Sequence, residues 1–174
     1  MKIVPLSTAN LSFKVLISFF LLTVAAGYVF GLMHIYSDVG LSYTGIVTHY
    51  RGDVKEMTIP RDFAFANLIH HHHVHIFGLS MLFLFIGLIF TLTSIPEGAK
   101  AVFVAAPFLG LILDLSSFWL LVFASPVFAW FSIIFGAFMA LSFFLLIGRP
   151  IYEMWILPIL YRQIGSSSLP WFLR

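Results

Sequence analysis

The chain has 174 residues, and its composition is that of a membrane protein. Hydrophobic residues make up 61% of it, its mean hydropathy is +1.05, and only 9% of the residues are charged, against about 25% in a soluble domain. A soluble fold of this size cannot bury so much apolar surface, so the bilayer must be the solvent. The absence of cysteine excludes disulfides, thiolate metal sites and iron–sulfur clusters, and the net charge of +2 gives no indication of nucleic-acid binding.

Four apolar runs are each long enough to cross a hydrocarbon core of about 30 Å. They predict an all-α integral membrane protein, a four-transmembrane-helix bundle with spans at about 15–36, 69–93, 101–123 and 127–147. The first run is longer than the apolar region of a typical signal peptide and lacks a clear small-x-small cleavage site, so we interpret it as a retained span.

Two polar segments accompany the spans. Residues 37–68 form the predicted extracytoplasmic loop, in which Pro60 marks the first turn of a helix that continues into the second span. Arg149 and Pro150 are expected to end the fourth span. Residues 149–174 then form an amphipathic tail at the membrane surface, with an aromatic set interspersed with charges, namely Tyr152, Trp155, Tyr161 and Trp171 with Glu153, Arg162 and Arg174.

The distribution of basic residues predicts the orientation. Four spans place both termini and the turn between the second and third spans on one side, which carries Lys2, Lys14, Lys100, Arg149, Arg162 and Arg174. The loop on the other side carries three basic residues and an excess of acidic ones. The positive-inside rule therefore predicts cytoplasmic termini and a loop that faces the periplasm from a bacterial inner membrane.

Five of the seven histidines lie just before the apolar part of the second span, at positions 70–73 and 75. On a helix, His71 and His75 are one turn apart on the same face, whereas His73 and His75 are about 200° apart and point to nearly opposite sides. His34 ends the first span and, because consecutive spans are antiparallel, lies at the same membrane level. We therefore predict His75 and His73 as cofactor ligands, with His34 or His71 as candidate partners.

Three interpretations of this cluster stay open. Imidazoles from facing helices are the ligands of a b-type haem in a bundle core. Clustered imidazoles also suit divalent copper or zinc, for which His73, His75 and His71 are the candidate ligands. In the third interpretation, His70 to His72 form a polar collar at the interface and His49 is solvated in the loop.

Asp114 is the second candidate site residue, because it lies roughly 15 Å inside the third span. A carboxylate there must be neutral, paired or next to water. It is a candidate to accept the second ring N–H of His75 or to relay protons. The alternative is a protonated side chain hydrogen-bonded to Ser116, Ser117 or a neighbouring helix.

Two resemblances extend these expectations. The stretch from His73 to Met81 resembles a short motif in the catalytic subunit of haem–copper oxidases, where two histidines separated by one residue ligate different haems on opposite faces of one helix. We use that motif as a geometric precedent.

Across most of its length the chain also resembles a family of small four-span bacterial inner-membrane proteins. The matching segments are His49-Tyr50-Arg51-Gly52, Met57 to Phe63, His73-Val74-His75-Ile76-Phe77-Gly78, Pro107-Phe108-Leu109-Gly110 through Asp114, Ser125 to Trp130 and Pro150 to Trp155. This second resemblance implies the fold and no activity. Its pattern has threonine where His72 stands and an aromatic residue at His49, which favours His73, His75 and Asp114 as the site residues.

The functional prediction is a membrane electron-transfer subunit that binds haem b at the outer membrane face. Its expected context is a larger respiratory or quinol-oxidising complex, with a quinol or a periplasmic cytochrome as a candidate partner. So little polar chain lies outside the spans that an electron carrier is expected over a standalone enzyme. The alternatives are a copper- or zinc-binding accessory membrane protein and a cofactor-free structural subunit.

Overall fold

The structure, a computed structural model, describes residues 6–164, with side chains described through residue 160. The described α-helices are α1 (Leu11–Asp38), α2 (Tyr43–Arg51), α3 (Arg61–Thr91), α4 (Glu97–Phe123), α5 (Ala129–Ile151) and α6 (Leu157–Ile164). A five-residue π-helix, Tyr152–Ile156, joins α5 to α6. Of the predicted amphipathic tail, Trp171 and Arg174 lie outside the described residues, as do the side chains of Tyr161 and Arg162.

Four helical stretches are long and apolar enough to cross a membrane. They are Leu11–Asp38, Arg61–Thr91, Glu97–Phe123 and the nearly continuous stretch Pro126–Leu160. The predicted all-helical fold with four membrane-spanning helices is therefore confirmed. The expected helix start at Pro60 is also confirmed, because α3 begins at Arg61 directly after it.

The bundle core lies among α3, α4 and α5, and α1 packs on its outside. Gly110 lets α4 approach α5 so closely that a Cβ added there would lie 2.9 Å from the Cβ of Met139. Phe83 of α3 and Phe143 of α5 are fully buried in the same core. In contrast, only 6% of the most apolar window of α1 is buried, against 33% in α4. The first span thus rests on α5 and does not complete a symmetrical four-helix core.

The last membrane helix differs from the prediction at its end, because it passes through Arg149 and Pro150. Proline removes one backbone N–H, which membrane helices tolerate where other groups satisfy the freed carbonyls. Here the backbone widens into the π-helix just beyond Pro150. Lys14 of α1 donates to the carbonyl of Met154 in that π-helix, at 3.1 Å.

A polar cluster fixes this end of the bundle. The carboxylate of Glu153 is 1% exposed and accepts a 2.8 Å hydrogen bond from Nε of Arg149. The backbone N–H and the hydroxyl of Ser94 also donate to it, each at 2.9 Å. Because Ser94 lies in the turn between α3 and α4, the cluster links that turn to the last helix.

The predicted loop 37–68 contains a helix that the sequence analysis missed. Ser42 caps the start of α2 by accepting from the N–H of Gly45 at 3.1 Å, and Gly52 ends it with φ +86°. Arg51 fixes α2 to the bundle, because its Nη1 donates to the carbonyls of Leu121 and Val122 at 2.9 and 3.0 Å. These are carbonyls in the last turn of α4, which have no intrahelical donor.

Candidate functional site

A half-open cleft of about 340 Å³ lies where α2 meets the first turns of α3. We call it the histidine cleft and define it by its lining residues, which are His49, Tyr50, Ile59, Ala64, Asn67, His70, His71, Val74 and His75. We call the part of the bundle that carries it the histidine end. Its volume falls within the range of small-molecule and cofactor sites.

His71 and His75 form the core of the cleft. Their rings stack with centroids 3.9 Å apart, as the one-turn spacing predicts. Nδ1 of His75 lies 2.9 Å from the carbonyl oxygen of His71. A carbonyl only accepts, so Nδ1 carries the proton and the lone pair of a neutral ring is on Nε2. This is the second-sphere hydrogen bond that metal-ligating histidines usually make, so Nε2 of His75 is free to act as a ligand.

His72 has a different role from its neighbours. Its Nδ1 lies 2.7 Å from the carbonyl of Leu68, and its Nε2 lies 2.9 Å from the carbonyl of Leu115 on α4. Both ring nitrogens thus face hydrogen-bond acceptors, and the ring bridges α3 to α4. One interpretation of the sequence had His72 in a polar collar at the interface, whereas in the structure its ring connects two helices.

Two predicted ligands lie away from the cleft. His73 is exposed on another side of α3, where its ring contacts Phe77 at 5.2 Å. His34 is 73% exposed on α1, and its Nδ1 lies 3.5 Å from the carboxylate of Asp38. The expected partnership of His34 with His75 is not formed, because α1 packs against α5. His49 and His70, which the sequence analysis read as peripheral, line the cleft with His71 and His75.

Among residues 6–164, no three histidine, aspartate or glutamate side chains lie close enough together to hold a metal ion as they stand. The stacked pair His71 and His75 is the most compact imidazole group. His49 lies across the cleft on α2, with its ring edge-on to Tyr50 at 4.9 Å. Tyr50 in turn contacts His71 at 6.3 Å, so one aromatic ring separates the imidazoles of the two helices.

Asp114 lies deeper in the bundle than the cleft. It faces α5 at Gly136, where an added Cβ would lie 3.7 Å from its Oδ1. The predicted bond to Ser117 is not made by the carboxylate, since that hydroxyl donates to the backbone carbonyl of Asp114 at 2.6 Å. Within the described part of the chain, no hydrogen bond joins Asp114 to His75, whose Nδ1–H points to the carbonyl of His71 instead.

Tyr50 connects the cleft to the neighbourhood of Asp114. Burial, and secondly the negative charge of Asp114, raise the pKa of Tyr50 to about 12. Its ring packs on Phe118 of α4 with centroids 4.7 Å apart. No sequence pattern assigned Tyr50 to the site, but the apolar residues Ile46, Val47 and Tyr50 at helical spacing would have indicated a short helix packed on the bundle.

These features define a multi-pass helical membrane protein with a histidine-lined cleft at one end. The chain belongs to the Aq_1264_TM family of transmembrane helical domains, whose model matches residues 40–159. The matched range contains the histidine cleft and Asp114, and it leaves out α1 with His34. No curated protein and no solved structure was found to match the chain.

Proposed function

We propose that the histidine cleft binds one divalent copper or zinc ion and that the protein is a metal-binding accessory membrane protein. The observation that supports this most strongly is the stacked pair His71 and His75 on one wall of an accessible cleft. Two imidazoles at i and i+4 on one helix face are a recurrent zinc-binding arrangement. Imidazole also suits copper.

In this proposal His71 and His75 are two fixed ligands, and the other ligands come from side chains that can change rotamer. The hydrogen bond of His75 to the carbonyl of His71 leaves Nε2 as the ring nitrogen available to a metal, which supports the proposal. His49 and His70 are exposed, so their side chains are free to change rotamer and supply further nitrogens. A half-open cleft leaves room for a water or an exchangeable ligand in the remaining position. Such an arrangement favours metal transfer over a closed structural site.

A b-type haem electron-transfer subunit is the second candidate function. The observation that favours it is the divergence of His73 and His75, since His75 faces the cleft while His73 is exposed on another side of α3. That arrangement is similar to the geometric precedent of the haem–copper oxidases. It would require a partner subunit to supply the second axial ligand of each haem, because the described part of this chain offers no facing imidazole pair. We rank it second for that reason.

The proposed setting is a bacterial inner membrane with both termini in the cytoplasm and the histidine end in the periplasm. Lys14, Lys100 and Arg149 lie at the end of the bundle opposite the histidine cleft, which supports this orientation through the positive-inside rule. A larger membrane complex is the proposed partner. In the haem alternative, a quinol or a periplasmic cytochrome exchanges electrons at the cleft.

The test is a metal titration of the protein in detergent, purified through an affinity tag that contains no histidine. Zn²⁺ is titrated against a chelating indicator, and Cu²⁺ is followed by electron paramagnetic resonance for nitrogen hyperfine structure. We expect one ion per chain. Loss of an outer-sphere partner typically costs 10- to 100-fold in affinity, so loss of a direct ligand in His71→Ala or His75→Ala should cost about 100-fold or more.

His73→Ala is the matched control, because His73 is on the same helix within two residues of both and points away from the cleft. It should leave the affinity unchanged. Equal loss in His73→Ala and His75→Ala, or no binding in a folded wild type, would contradict the metal proposal. A reduced-minus-oxidised visible spectrum of the same preparation decides the alternative, since a sharp reduced α-band that disappears in His75→Ala would favour haem.

A further inference from the structure

Asp114 is a carboxylic acid within the membrane-spanning part of α4, about nine residues or roughly 14 Å from the end of that helix at Phe123. Its side chain is only partly accessible, and it faces α5 at Gly136. A Cβ added at Gly136 would be in ordinary van der Waals contact with Oδ1, so α4 and α5 pack closely beside the carboxyl group.

Two tyrosines of other helices, Tyr28 of α1 and Tyr50 of α2, are close enough to interact electrostatically with this carboxyl group. Neither hydroxyl donates a hydrogen bond to it in the structure, and α5 contributes Gly136 without any titratable group. His71 is the histidine of α3 that contacts Tyr50, and no hydrogen bond joins a histidine of α3 to Asp114 within the described part of the chain.

No cation compensates Asp114 among the described side chains. The nearest arginine along the histidine end, Arg51, is already committed to the carbonyls of Leu121 and Val122. Lys14, Lys100 and Arg149 act at the opposite end, on Met154, Glu97 and Glu153. An isolated ionised carboxylate within a bilayer is strongly unfavourable, and such groups mark ion or proton pathways.

From this environment we infer that Asp114 is a proton-binding site in the middle of the bundle, separate from the histidine cleft. A proton is the ligand that fits, because the four side-chain oxygens of Asp114, Tyr28 and Tyr50 are too few for a metal cation that prefers six or more oxygen ligands. The carboxyl group takes up a proton at Oδ and releases it as the local pH rises. Tyr28 and Tyr50 are the residues of the other helices whose phenols interact electrostatically with that carboxyl group.

Glu153 provides an internal comparison. It is more deeply buried than Asp114, yet it accepts hydrogen bonds from Arg149 and from both donors of Ser94. The two acids of the bundle thus differ in environment, because Glu153 has a cationic partner and Asp114 has none among the described side chains.

Infrared spectroscopy of the full-length protein in lipid tests this inference directly. A protonated carboxylic acid has a C=O stretching band in a region free of amide absorption. We expect that band in the wild type at neutral pH, its loss in Asp114→Asn, and its reversible loss as the pH is raised. Glu153→Gln is the matched control and should retain the band.

A band that is absent at every pH at which the protein stays folded, or that persists in Asp114→Asn, overturns the inference. If Asp114→Asn fails to fold, Asp114→Glu replaces it and should shift the position of the band without removing it. Labelling with an apolar carbodiimide gives an independent readout, since the reagent adds to protonated carboxyl groups. The adduct should map to the peptide that contains Asp114 and not to the one that contains Glu153.

Discussion

For the buried ion pair between Arg149 and Glu153, we predict that replacing the arginine destabilises the protein more than replacing the glutamate. Arg149→Gln leaves the carboxylate of Glu153 at 1% exposure with only Ser94 as a partner. Removing one member of a buried pair typically costs about 3–5 kcal/mol, and we expect this variant to reach that range. Glu153→Gln should cost less, about 2 kcal/mol, because Arg149 retains its cation–π contact with Tyr152, whose ring centroid lies 5.4 Å from Cζ. The glutamine can still accept a hydrogen bond from Arg149, although a neutral acceptor contributes less than a charged one.

The assay is a double-mutant cycle on the free energy of unfolding, measured by far-ultraviolet circular dichroism during reversible denaturation in mixed detergent micelles. The double variant should be less destabilised than the sum of the two single variants, by at least about 1 kcal/mol. Asp38→Asn is the control, since Asp38 pairs with His34 while the two side chains are 54% and 73% exposed, and exposed pairs contribute about 0–1 kcal/mol. If Arg149→Gln is no more destabilising than Asp38→Asn, the cluster does not stabilise the bundle and the reasoning is refuted.

Two further predictions concern packing and pH. Gly110→Ala should destabilise the bundle by about 1–3 kcal/mol, because the new Cβ would lie 2.9 Å from the Cβ of Met139 on α5. Gly148→Ala meets nothing within 4 Å and should be neutral or slightly stabilising in the same unfolding assay. Tyr50 ionises in the unfolded chain at its ordinary pKa of about 10, whereas burial and then Asp114 raise its folded pKa to about 12. Its contribution to stability is therefore constant below pH 10 and lost between about pH 10 and 12. Tyr50→Phe should remove that part of the alkaline loss, and an unchanged pH profile would contradict it.

Hydropathy was sufficient to predict the four spans, because each apolar run exceeds the thickness of the hydrocarbon core. Two local features needed three-dimensional information. The helix α2 is short, so its only signals in the sequence are the Ser42 cap, the C-terminal Gly52 and the helical spacing of Ile46, Val47 and Tyr50. Pro150 usually signals a helix end, but the π-helical turn beyond it accommodates the missing N–H, and the buried Glu153 fixes that turn in place.

The sequence was sufficient to predict which histidines share a face of α3, but not which face lines the cleft. The spacing on a helix fixes that His71 and His75 share a face and that His73 points elsewhere, as the structure has them. Which face lines a cleft depends on where α2 packs, and that follows from the hydrogen bonds of Arg51 to α4. The prediction of His34 as a partner assumed that consecutive spans pack together, whereas α1 packs on α5. His72 became a bridge between helices because its ring reaches the carbonyl of Leu115.

The position of Arg51 explains how a short helix outside the spans can shape the cleft. Its guanidinium binds the end of α4, and its own carbonyl accepts from the N–H groups of Thr58 and Ile59 at 2.8 and 3.1 Å. The chain on both sides of Arg51 is thereby fixed to the bundle, which positions His49 and Tyr50 opposite α3. The cleft therefore depends on a contact that is remote from its imidazoles. Within the family domain of residues 40–159, the shape of the histidine cleft is thus set by the packing of α2, α3 and α4 together.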